Sequence, residues 1–324
     1  MEFNLKLEKI IDEVDKIIGA RHIVNILKER ELRIYWGTIP GRLPNVNYLI
    51  PLMTLRHFIR CGCTVKILFA DMHSYLDSLD PDFDVLKART DIHEKIIKML
   101  LKMMGIEPIE VEFVQGTSYQ LTQRFMLDLY KLNSSCTVSQ VREAGKLVVR
   151  QNNDPKMTSL LYPTLQALDI EYLECDVFFG DTNQEKICHL TNEVLGKLGY
   201  KKRGFFLNEL YDELAHMKHI TFLDTYDKLE NKIKNIGINA LIVFIDVVIF
   251  DLCGIAGLSF TIQENKITTL EEIKKKYELK EINNEDIRIG IINFIDAINK
   301  PIREEFLYDE SIQLLMEAGY TLKM

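Results

Sequence analysis

The sequence has few of the features that mark metal-binding, secreted or membrane proteins. Its six cysteines are scattered, and the C-x-C of Cys61 and Cys63 has no second pair to complete a zinc site, so we expect reduced thiols and no bound metal. The charged first 18 residues lack the apolar core of a signal peptide. The longest apolar run, ALIVFIDVVIFDL, is interrupted by Asp246 and is predicted to be too short to span a bilayer.

An excess of positive charge is also absent. The formal net charge of -8 argues against a general coat for nucleic acid or membrane. No internal repeat and no low-complexity tract is present. Hydrophobic residues make up 47% of the 324 positions, so the chain can bury a sizeable core, and its length predicts two domains. We therefore expect a soluble cytoplasmic protein that makes no membrane contact.

Short β-rich runs alternate with helical patterns in the first two thirds of the chain. These runs lie at 32–37, 64–71, 109–116, 175–181 and, less clearly, 203–208. Most of them are apolar on both faces, which favours a parallel sheet covered by helices on both sides. The alternation predicts a doubly wound α/β domain over residues 1–210. Ligands of such sheets bind beyond the carboxyl ends of the strands.

The pattern changes after about residue 210, where strand signals fade. Amphipathic patterns at 225–236, 269–279 and 284–306 predict a helical domain over residues 211–324. The second of these patterns begins with Thr269 and Glu272 at capping-box spacing. The longest helical pattern before residue 210 is predicted to end at Gly105.

Four residues of one predicted helix share a stripe that is mostly polar. Tyr162, Gln166, Asp169 and Leu173 are spaced i, i+4, i+7 and i+11, and the chain then enters a buried strand that leads to Gln184. A solvated helix face is the alternative explanation. Other polar residues occur in or just after neighbouring strands, which predicts a pocket at one edge of the sheet: Tyr35, His73 and Gln120.

Several stretches resemble the archaeal and eukaryotic tyrosyl-tRNA synthetases, a class I family. They are YWGT, ILFADMHSYLD, GTSYQL, LDLYKLNS, LLYPTLQALDIEYLECD and KPIREEF, in the family's order and over most of the chain. The resemblance implies a class I Rossmann-like domain and a tyrosine pocket. Residues matching Tyr35 and Asp169 would hold the phenol, with Leu68, His73 and Gln120 around the ring and Leu173 on the same helix stripe. Those matching Tyr162, Gln166 and Gln184 would hold the α-ammonium group.

The signatures that serve ATP in this family are altered. The HIGH-type motif, close to P-H-V-A-Y in eukaryotic members, reads Pro44-Asn45-Val46-Asn47-Tyr48. Asn45 lacks the charge a histidine can carry, and Asn47 would project where adenine stacks. The KMSKS loop is replaced by ELYDELAHMKHI, in which Lys218 is the sole lysine.

A third nucleotide element departs from the family pattern. The family's GGxDQRK becomes a stretch in which Asp181 replaces the second glycine and Asn183 the ribose-binding aspartate, while Gly180 and the earlier Gly37 remain. A carboxylate at Asp181 would repel the α-phosphate of a nucleotide. The resemblance thus predicts an intact tyrosine side beside a degenerate nucleotide site.

The regions that would contact tRNA and a second subunit match the family pattern only in part. Asp286 matches a family position that reads the anticodon, but the aromatic motif that stacks on the base is missing, and Phe260 is the only substitute nearby. A segment at about 117–160 resembles the family's dimer-forming insertion, which predicts a homodimer.

Three functions stay open at this stage. The first is a diverged paralogue that binds L-tyrosine or a close phenolic amino acid, with weak or lost activation. The second is an active tyrosine–tRNA ligase that uses ATP with Mg²⁺, tRNA and possible catalytic residues at Lys218 and Asn45. The third is a repurposed enzyme for a tyrosine-like substrate, for which the acid–base candidates are Asp71, His73 and His219.

Overall fold

The computed structural model describes residues 2–77, 82–149 and 155–320. Its strands are β1 Lys16–Ile18, β2 Arg33–Thr38, β3 Thr64–Phe69, β4 Val111–Gln115, β5 Val177–Asp181, β6 Gly204–Asn208, β7 Thr261–Ile262 and β8 Asn265–Lys266. Its α-helices are α1 Glu2–Ile10, α2 Ala20–Leu27, α3 Leu49–Arg60, α4 Asp71–Asp77, α5 Phe83–Met103, α6 Thr117–Gln120, α7 Gln123–Asn133, α8 Val138–Gly145, α9 Met157–Tyr172, α10 Glu185–Val194, α11 Tyr226–Ile233, α12 Ile238–Phe244, α13 Phe250–Ala256, α14 Leu270–Glu278, α15 Asn284–Tyr308 and α16 Glu310–Tyr320.

The chain divides into two compact units. The first comprises Met1–Gly41, His57–Thr90 and Ile109–Leu210, and the second Arg42–Arg56, Asp91–Pro108 and Tyr211–Met324. The last boundary coincides with the domain boundary predicted at residue 210. Two earlier segments also belong to the second unit, so the units are not simply the first 210 residues and the remainder.

The first unit is built on a six-stranded sheet in the order β1-β6-β5-β2-β3-β4. All neighbours pair in parallel except β1, which runs antiparallel to β6 at the edge. The five strands predicted from the sequence are therefore confirmed, and so is the predicted parallel sheet. The strand order reverses at β2, which lies between β5 and β3, so β2 marks the switch point where such sheets bind ligands.

The central strands are buried on both faces, as their composition predicts. Ile34, Tyr35 and Trp36 follow one another along β2 and are each no more than 9% exposed. Phe178 and Phe179 of β5 are equally buried, and the rings of Tyr35 and Phe178 lie 5.0 Å apart. Strands covered on both sides need no polar face, which is why these runs do not alternate.

Two predicted helix ends are seen in detail. Gly105 adopts a left-handed φ of 75° after α5, and the N–H of Ile106 donates to the carbonyl of Leu101 at 3.0 Å, which is a Schellman end. At the start of α14 the Thr269 side chain accepts the Glu272 N–H at 3.3 Å as predicted. The Glu272 carboxylate accepts from the N–H of Thr268 at 2.9 Å.

The helices α11, α14 and α15 confirm the helical character of the region after residue 210. The 25-residue helix α15 packs against the short hairpin of β7 and β8. Gly290 permits this contact, because a Cβ there would lie 2.7 Å from the carbonyl oxygen of Thr261. At the N-terminus of α15, Asn283 and Asp286 form a full capping box.

The helix that contains the apolar run around Asp246 is longer than the run itself. The helices α12 and α13 join through a π-helical turn, Ile245–Ile249, into one stretch, Ile238–Ala256, which among the described residues is the one helix long and apolar enough to cross a membrane by length and composition. The prediction that this run is too short was therefore wrong. The mean hydropathy of its best window is 2.3, with 39% of that window buried, and a core helix passes the same test.

Candidate functional site

A cavity of about 290 Å³ opens at the carboxyl end of the strands in the first unit. Its walls come from β2, β3, β5, α9 and the 3₁₀ turn after β5. Ten of the residues named from the sequence line it: Tyr35, Gly37, Leu68, His73, Tyr162, Gln166, Asp169, Asp181, Asn183 and Gln184. The polar stripe of α9 therefore faces a cavity instead of solvent.

Three other named residues lie behind the wall. Gln120 is fully buried and donates from Nε2 to Asp169 Oδ1 at 2.7 Å. Leu173 caps α9 and belongs to the hydrophobic cluster that also contains Tyr35. Gly180 allows the Phe178 ring to lie close, because a Cβ at Gly180 would be 2.5 Å from that ring.

Asp169 is the chemical centre of the cavity. Its carboxylate is 1% exposed, and Oδ1 accepts hydrogen bonds from the Tyr119 hydroxyl and from Gln120, each at 2.7 Å. Oδ2 has no hydrogen-bond partner among the described residues. Burial raises the pKa of Asp169 to about 7, although its two hydrogen bonds act in the opposite direction. A buried acceptor without a partner favours a ligand that brings a donor.

His73 lies beside this carboxylate but does not pair with it as a cation. Its Nε2 is 3.5 Å from Asp169 Oδ2, and burial lowers the pKa of His73 to about 3, so the ring is neutral at physiological pH. The ring packs edge-on against Tyr162, with centroids 4.6 Å apart. We therefore assign His73 to shaping the cavity, and its predicted use as an acid–base group gains no support.

A chain of hydrogen bonds follows the rim of the cavity. Gln166 Nε2 donates to Gln184 Oε1 at 2.7 Å, and Gln184 Nε2 donates to Asp181 Oδ2 at 3.1 Å. Asp181 also accepts the backbone N–H of Asn183 at 3.0 Å, which caps the 3₁₀ turn, Thr182–Gln184. These amide and carboxylate oxygens are suitable acceptors for an ammonium group.

Tyr119 is a functional candidate that the sequence analysis missed. It immediately precedes Gln120 in the short helix α6, and its hydroxyl orients Asp169. The signal was a second phenol next to a residue already selected. Gly116 allows the side chains of Gln120 and Asp71 to lie against the backbone of this turn, because a Cβ there would be 2.5 Å from Gln120 Oε1 and 2.8 Å from Asp71 Oδ1.

Asp71 is occupied by the same turn. Its carboxylate accepts from the Met72 N–H at 2.8 Å, from the Thr117 N–H at 2.9 Å and from the Thr117 hydroxyl at 2.6 Å. Asp71 therefore holds α4 to α6 and has little capacity left for acid–base chemistry.

The raised pKa of Asp169 predicts pH-dependent binding of a phenol. A phenol O–H donates best to the ionised carboxylate, so we expect the affinity for tyrosine to fall roughly tenfold from pH 8 to pH 6, as a group of pKa about 7 gains its proton. Calorimetry across this range measures the inflection. Asp181→Asn should retain it, Asp169→Asn should lose it, and a flat wild-type profile would contradict the assignment.

In the second unit, the two segments that the sequence resemblance assigns to ATP are hydrogen-bonded to each other. Asn47 Nδ2 donates to the carbonyl of Leu214 at 2.9 Å, and the Val46 N–H donates to the carbonyl of Ile220 at 3.0 Å. Asn45 forms an isolated β-bridge with Thr221, and its side-chain oxygen accepts the Asn47 N–H at 3.1 Å. Both asparagine side chains thus stabilise a fixed local structure.

The remaining named residues of the second unit are dispersed. Lys218 and His219 are exposed on a 3₁₀ helix, Asp212–His219. Asp286 is half-buried and accepts the Asn283 N–H at 2.8 Å. Phe260 is fully buried between Phe250 and Phe294, so it presents no face to a nucleic-acid base. The described residues contain no group of three metal-ligating side chains.

Comparison with known proteins places this architecture in a family. Residues 27–233 match the model of the class I tRNA synthetases for tryptophan and tyrosine. The chain is 33% identical over 335 residues to the cytoplasmic tyrosine–tRNA ligase of Danio rerio, covering 97% of this chain and 63% of that protein. The chain belongs to the class I tyrosyl-tRNA synthetase family. It spans about 63% of the length of such vertebrate relatives.

Other members of the synthetase family match along their whole length. The probable cytoplasmic tyrosine–tRNA ligase of Enterocytozoon bieneusi is 34% identical over 319 residues, covering 94% of this chain and 91% of that protein. The tyrosyl-tRNA synthetase of Pyrococcus horikoshii, solved with L-tyrosine, has a TM-score of 0.82 at 17% identity, with 98% and 100% of the two chains covered. At that identity, the structural match supports the fold alone.

Proposed function

We propose that this synthetase-like protein binds L-tyrosine or a close phenolic amino acid and that its ATP-dependent activation is weak or lost. The observation that supports the ligand is Oδ2 of Asp169, a lining residue of the cavity, which is buried and has no hydrogen-bond partner among the described residues. A phenol O–H can donate to this atom, whereas phenylalanine would leave it buried without a donor. The volume of about 290 Å³ is at the lower end of the range for small-ligand sites, which suits an amino acid.

The amino end of the ligand has complementary groups at the rim. The side chains of Gln166, Gln184 and Asp181 are hydrogen-bonded into one chain, each amide nitrogen donating to the next oxygen, and the Tyr162 side chain lines the same wall. An α-ammonium group supplies three donors for such acceptors. By the family resemblance, Tyr162, Gln166 and Gln184 are the residues that hold the ammonium group.

Weak activation is inferred from the second unit. The family resemblance assigns nucleotide contacts to the position of Asn45, to a small residue at position 47 and to a mobile loop near Lys218. Here Asn47 bonds to Leu214 within the replacement for that loop, and Asn45 caps its own turn. A segment held in this way cannot bring Lys218 to a pyrophosphate without breaking these hydrogen bonds. The charge on the pyrophosphate would then lack a stabilising cation, and electrostatic stabilisation is usually the largest catalytic contribution.

An active tyrosine–tRNA ligase is the second candidate. It is favoured by the relatives, since those at 33% and 34% identity are named tyrosine–tRNA ligases. In that case ATP with Mg²⁺ would be the co-substrate, tRNA the acceptor and Lys218 the remaining cation of the loop. The repurposed-enzyme alternative gains no support, because Asp71 is saturated and His73 is neutral.

Two measurements separate the candidates. Calorimetry with tyrosine, phenylalanine and ATP should show binding of tyrosine alone. Tyrosine-dependent ATP–pyrophosphate exchange should be at least about 100-fold below that of an active family member, if one transition-state contact is missing. Exchange at the full rate, together with a loss of orders of magnitude in Lys218→Ala, would establish the ligase. A chain that binds neither ligand would contradict both.

Homodimerisation and a cytoplasmic location are parts of the same proposal. The predicted dimer segment exposes several large apolar side chains, among them Leu127 at 50% and Tyr130 at 62%, and an uncovered apolar surface of this kind favours a partner. Its residues 150–154 lie outside the described part of the chain. The curated relatives are named cytoplasmic, which supports the location. Light scattering should give the mass of two chains.

A further inference from the structure

A second cavity of the first unit lies at the amino ends of the strands, opposite the amino-acid cavity. Its volume is about 450 Å³, and it is lined at the amino ends of the strands by Arg33 at the start of β2, Asp176 before β5 and Arg203 before β6. The amino-acid cavity opens at the carboxyl ends of the same strands. The two cavities share no lining residue, so the second is a separate candidate site.

Basic side chains are concentrated in and around this second cavity. Arg30, Arg33, Lys201 and Arg203 line it, together with the carboxylates of Glu29, Glu171 and Asp176. An adjoining cavity shares His22 and Arg203 and adds Arg21 and Lys202. This local concentration stands out in a chain whose net charge is -8.

The most buried carboxylate is already saturated by this cluster. Arg30 donates to both oxygens of Asp176, at 2.6 and 2.7 Å, and the Arg33 N–H donates to Oδ2 at 2.9 Å. Glu171 is paired with Arg203. Two of the cavity's cations are therefore neutralised by partners that have little capacity left for others.

The other cations are not neutralised in this way. Arg33 has two distant partners: its Nε lies 3.8 Å from Asp176 Oδ2, a carboxylate already bonded to Arg30, and its Nη1 lies 4.0 Å from Glu174, an exposed pair that contributes little. In the described part of the chain, Arg21, Lys201 and Lys202 have no carboxylate within 4.0 Å. Four cations and three carboxylates line the cavity, so its formal net charge is +1, and Arg21 and Lys202 of the adjoining cavity add two further positive charges.

Three nitrogen atoms of the cavity's side chains are buried without a hydrogen-bond partner among the described residues. They are Nε2 of His22, Nε of Arg33 and Nε of Arg203. Arg33 Nε lies 3.8 Å from Asp176 Oδ2, beyond hydrogen-bond distance. The two arginine Nε–H groups are donors whose burial carries a desolvation cost, and a ligand rich in acceptor oxygens would remove that cost after a small rotation of the side chains.

We propose that this cavity binds the phosphate group of a small phosphate monoester. A phosphate monoester offers three acceptor oxygens and a charge of about -1.5 to -2, more than a carboxylate has, and its geometry matches the forked donors of arginine. The volume exceeds what the anion alone needs, which leaves room for an organic part. The cavity would then give this protein a second ligand, separate from the phenolic amino acid.

The test is binding of inorganic phosphate and of glycerol 3-phosphate to the full chain, measured by calorimetry at fixed ionic strength. We expect both to bind. The double variant Arg33→Gln with Lys201→Gln should bind at least tenfold more weakly, because it removes two positive charges and the forked guanidinium donors of Arg33. Arg33→Lys should lie between, because it keeps the charge but loses the fork. A wild-type protein that binds neither probe overturns the proposal.

A matched control separates a site from general attraction. Arg142→Gln with Lys274→Gln removes the same charge at exposed positions outside the cavity lining, and it should leave phosphate affinity within twofold. Equal losses in both double variants would mean non-specific attraction and would overturn the proposal. Tyrosine affinity should be unchanged in all variants, which shows that they fold and keeps this test independent of the amino-acid site.

His22 offers a spectroscopic readout of the same event. Burial and the neighbouring Arg203 lower the pKa of His22 in the free protein. A bound phosphate close to the ring should raise that pKa, because it favours the imidazolium form. Imidazole resonances followed by NMR across pH, with and without phosphate, measure this shift. A His22 pKa that does not change at saturating phosphate would place the anion elsewhere.

Discussion

Replacing Asp169 by Asn is expected to remove most of the selectivity for tyrosine over phenylalanine. The substitution keeps the size of the side chain but removes the charge that accepts the phenol hydrogen bond at Oδ2. We expect tyrosine affinity to fall about 10- to 100-fold, which corresponds to roughly 1.5–3 kcal/mol for a hydrogen bond to a charged group. Calorimetry with tyrosine and phenylalanine measures both affinities.

The reason for this large effect is the isolation of the carboxylate. Asp169 is 1% exposed, so water cannot replace the missing donor when phenylalanine enters. Wild-type protein should therefore discriminate between the two amino acids at least about 100-fold, and the Asn variant less than about tenfold. If Asp169→Asn bound tyrosine as tightly as wild type, the phenol would lie elsewhere and the proposed orientation would be wrong.

Tyr119 provides a finer test of the same centre. Tyr119→Phe removes one hydrogen bond to Asp169, so the pKa of Asp169 should rise above about 7 and the pH midpoint of tyrosine binding should rise with it. Tyr172→Phe is the matched control, since its hydroxyl donates at 2.9 Å to a different carboxylate, Asp128. An unchanged midpoint in Tyr119→Phe would show that Tyr119 does not act through Asp169.

Restoring the family residues on the nucleotide side is the second change with a large expected effect. The triple variant Asn45→His, Asn47→Gly and Asp181→Gly should increase tyrosine-dependent ATP–pyrophosphate exchange on the order of 100-fold over wild type, by returning a cation, freeing the Leu214 carbonyl and removing a repelling carboxylate. The variant should lose some stability, about 1 kcal/mol for the Asn47 hydrogen bond.

Controls for the restored variant use the same chemistry at another position. Asn235→Gly replaces an exposed asparagine whose side chain donates to the Asn231 carbonyl at 3.2 Å, and it should leave exchange at the wild-type level. The triple variant should still bind tyrosine, although more weakly, because Asp181→Gly also removes one acceptor of the rim chain, so exchange is measured at saturating tyrosine. A triple variant that binds tyrosine but shows no gain in exchange would mean that these three positions do not limit activation.

Much of the fold was predictable because the signals were local. Runs that are apolar on both faces became the central strands, and Gly105 ended α5 in the left-handed conformation that glycine tolerates. The antiparallel strand β1 was missed, since its three residues pair only with β6 and show no pattern of their own. The length of the helix Ile238–Ala256 was underestimated because the helix begins two residues before the apolar run and ends four residues after it, and a π turn, Ile245–Ile249, continues it through Asp246.

The candidate site was likewise predictable only where its residues lie close together in the sequence. The spacing of Tyr162, Gln166 and Asp169 placed them on one face of α9, and the structure shows that face lining the cavity. Spacing could not show that Tyr119 reaches Asp169 from a position 50 residues away in the chain, nor that Asn47 reaches Leu214. Such contacts depend on how distant segments pack.

The sequence by itself determined which residue types this family member carries and where they fall along each helix or strand, because period and capping act within a few residues. Only the tertiary structure decided that Oδ2 of Asp169 has no hydrogen-bond partner within the described residues and that Asn45 and Asn47 connect the two segments assigned to ATP. The same is true of the basic cluster at the amino ends of three strands. Whether a polar atom has a partner depends on groups that are far apart in the chain and meet only after folding.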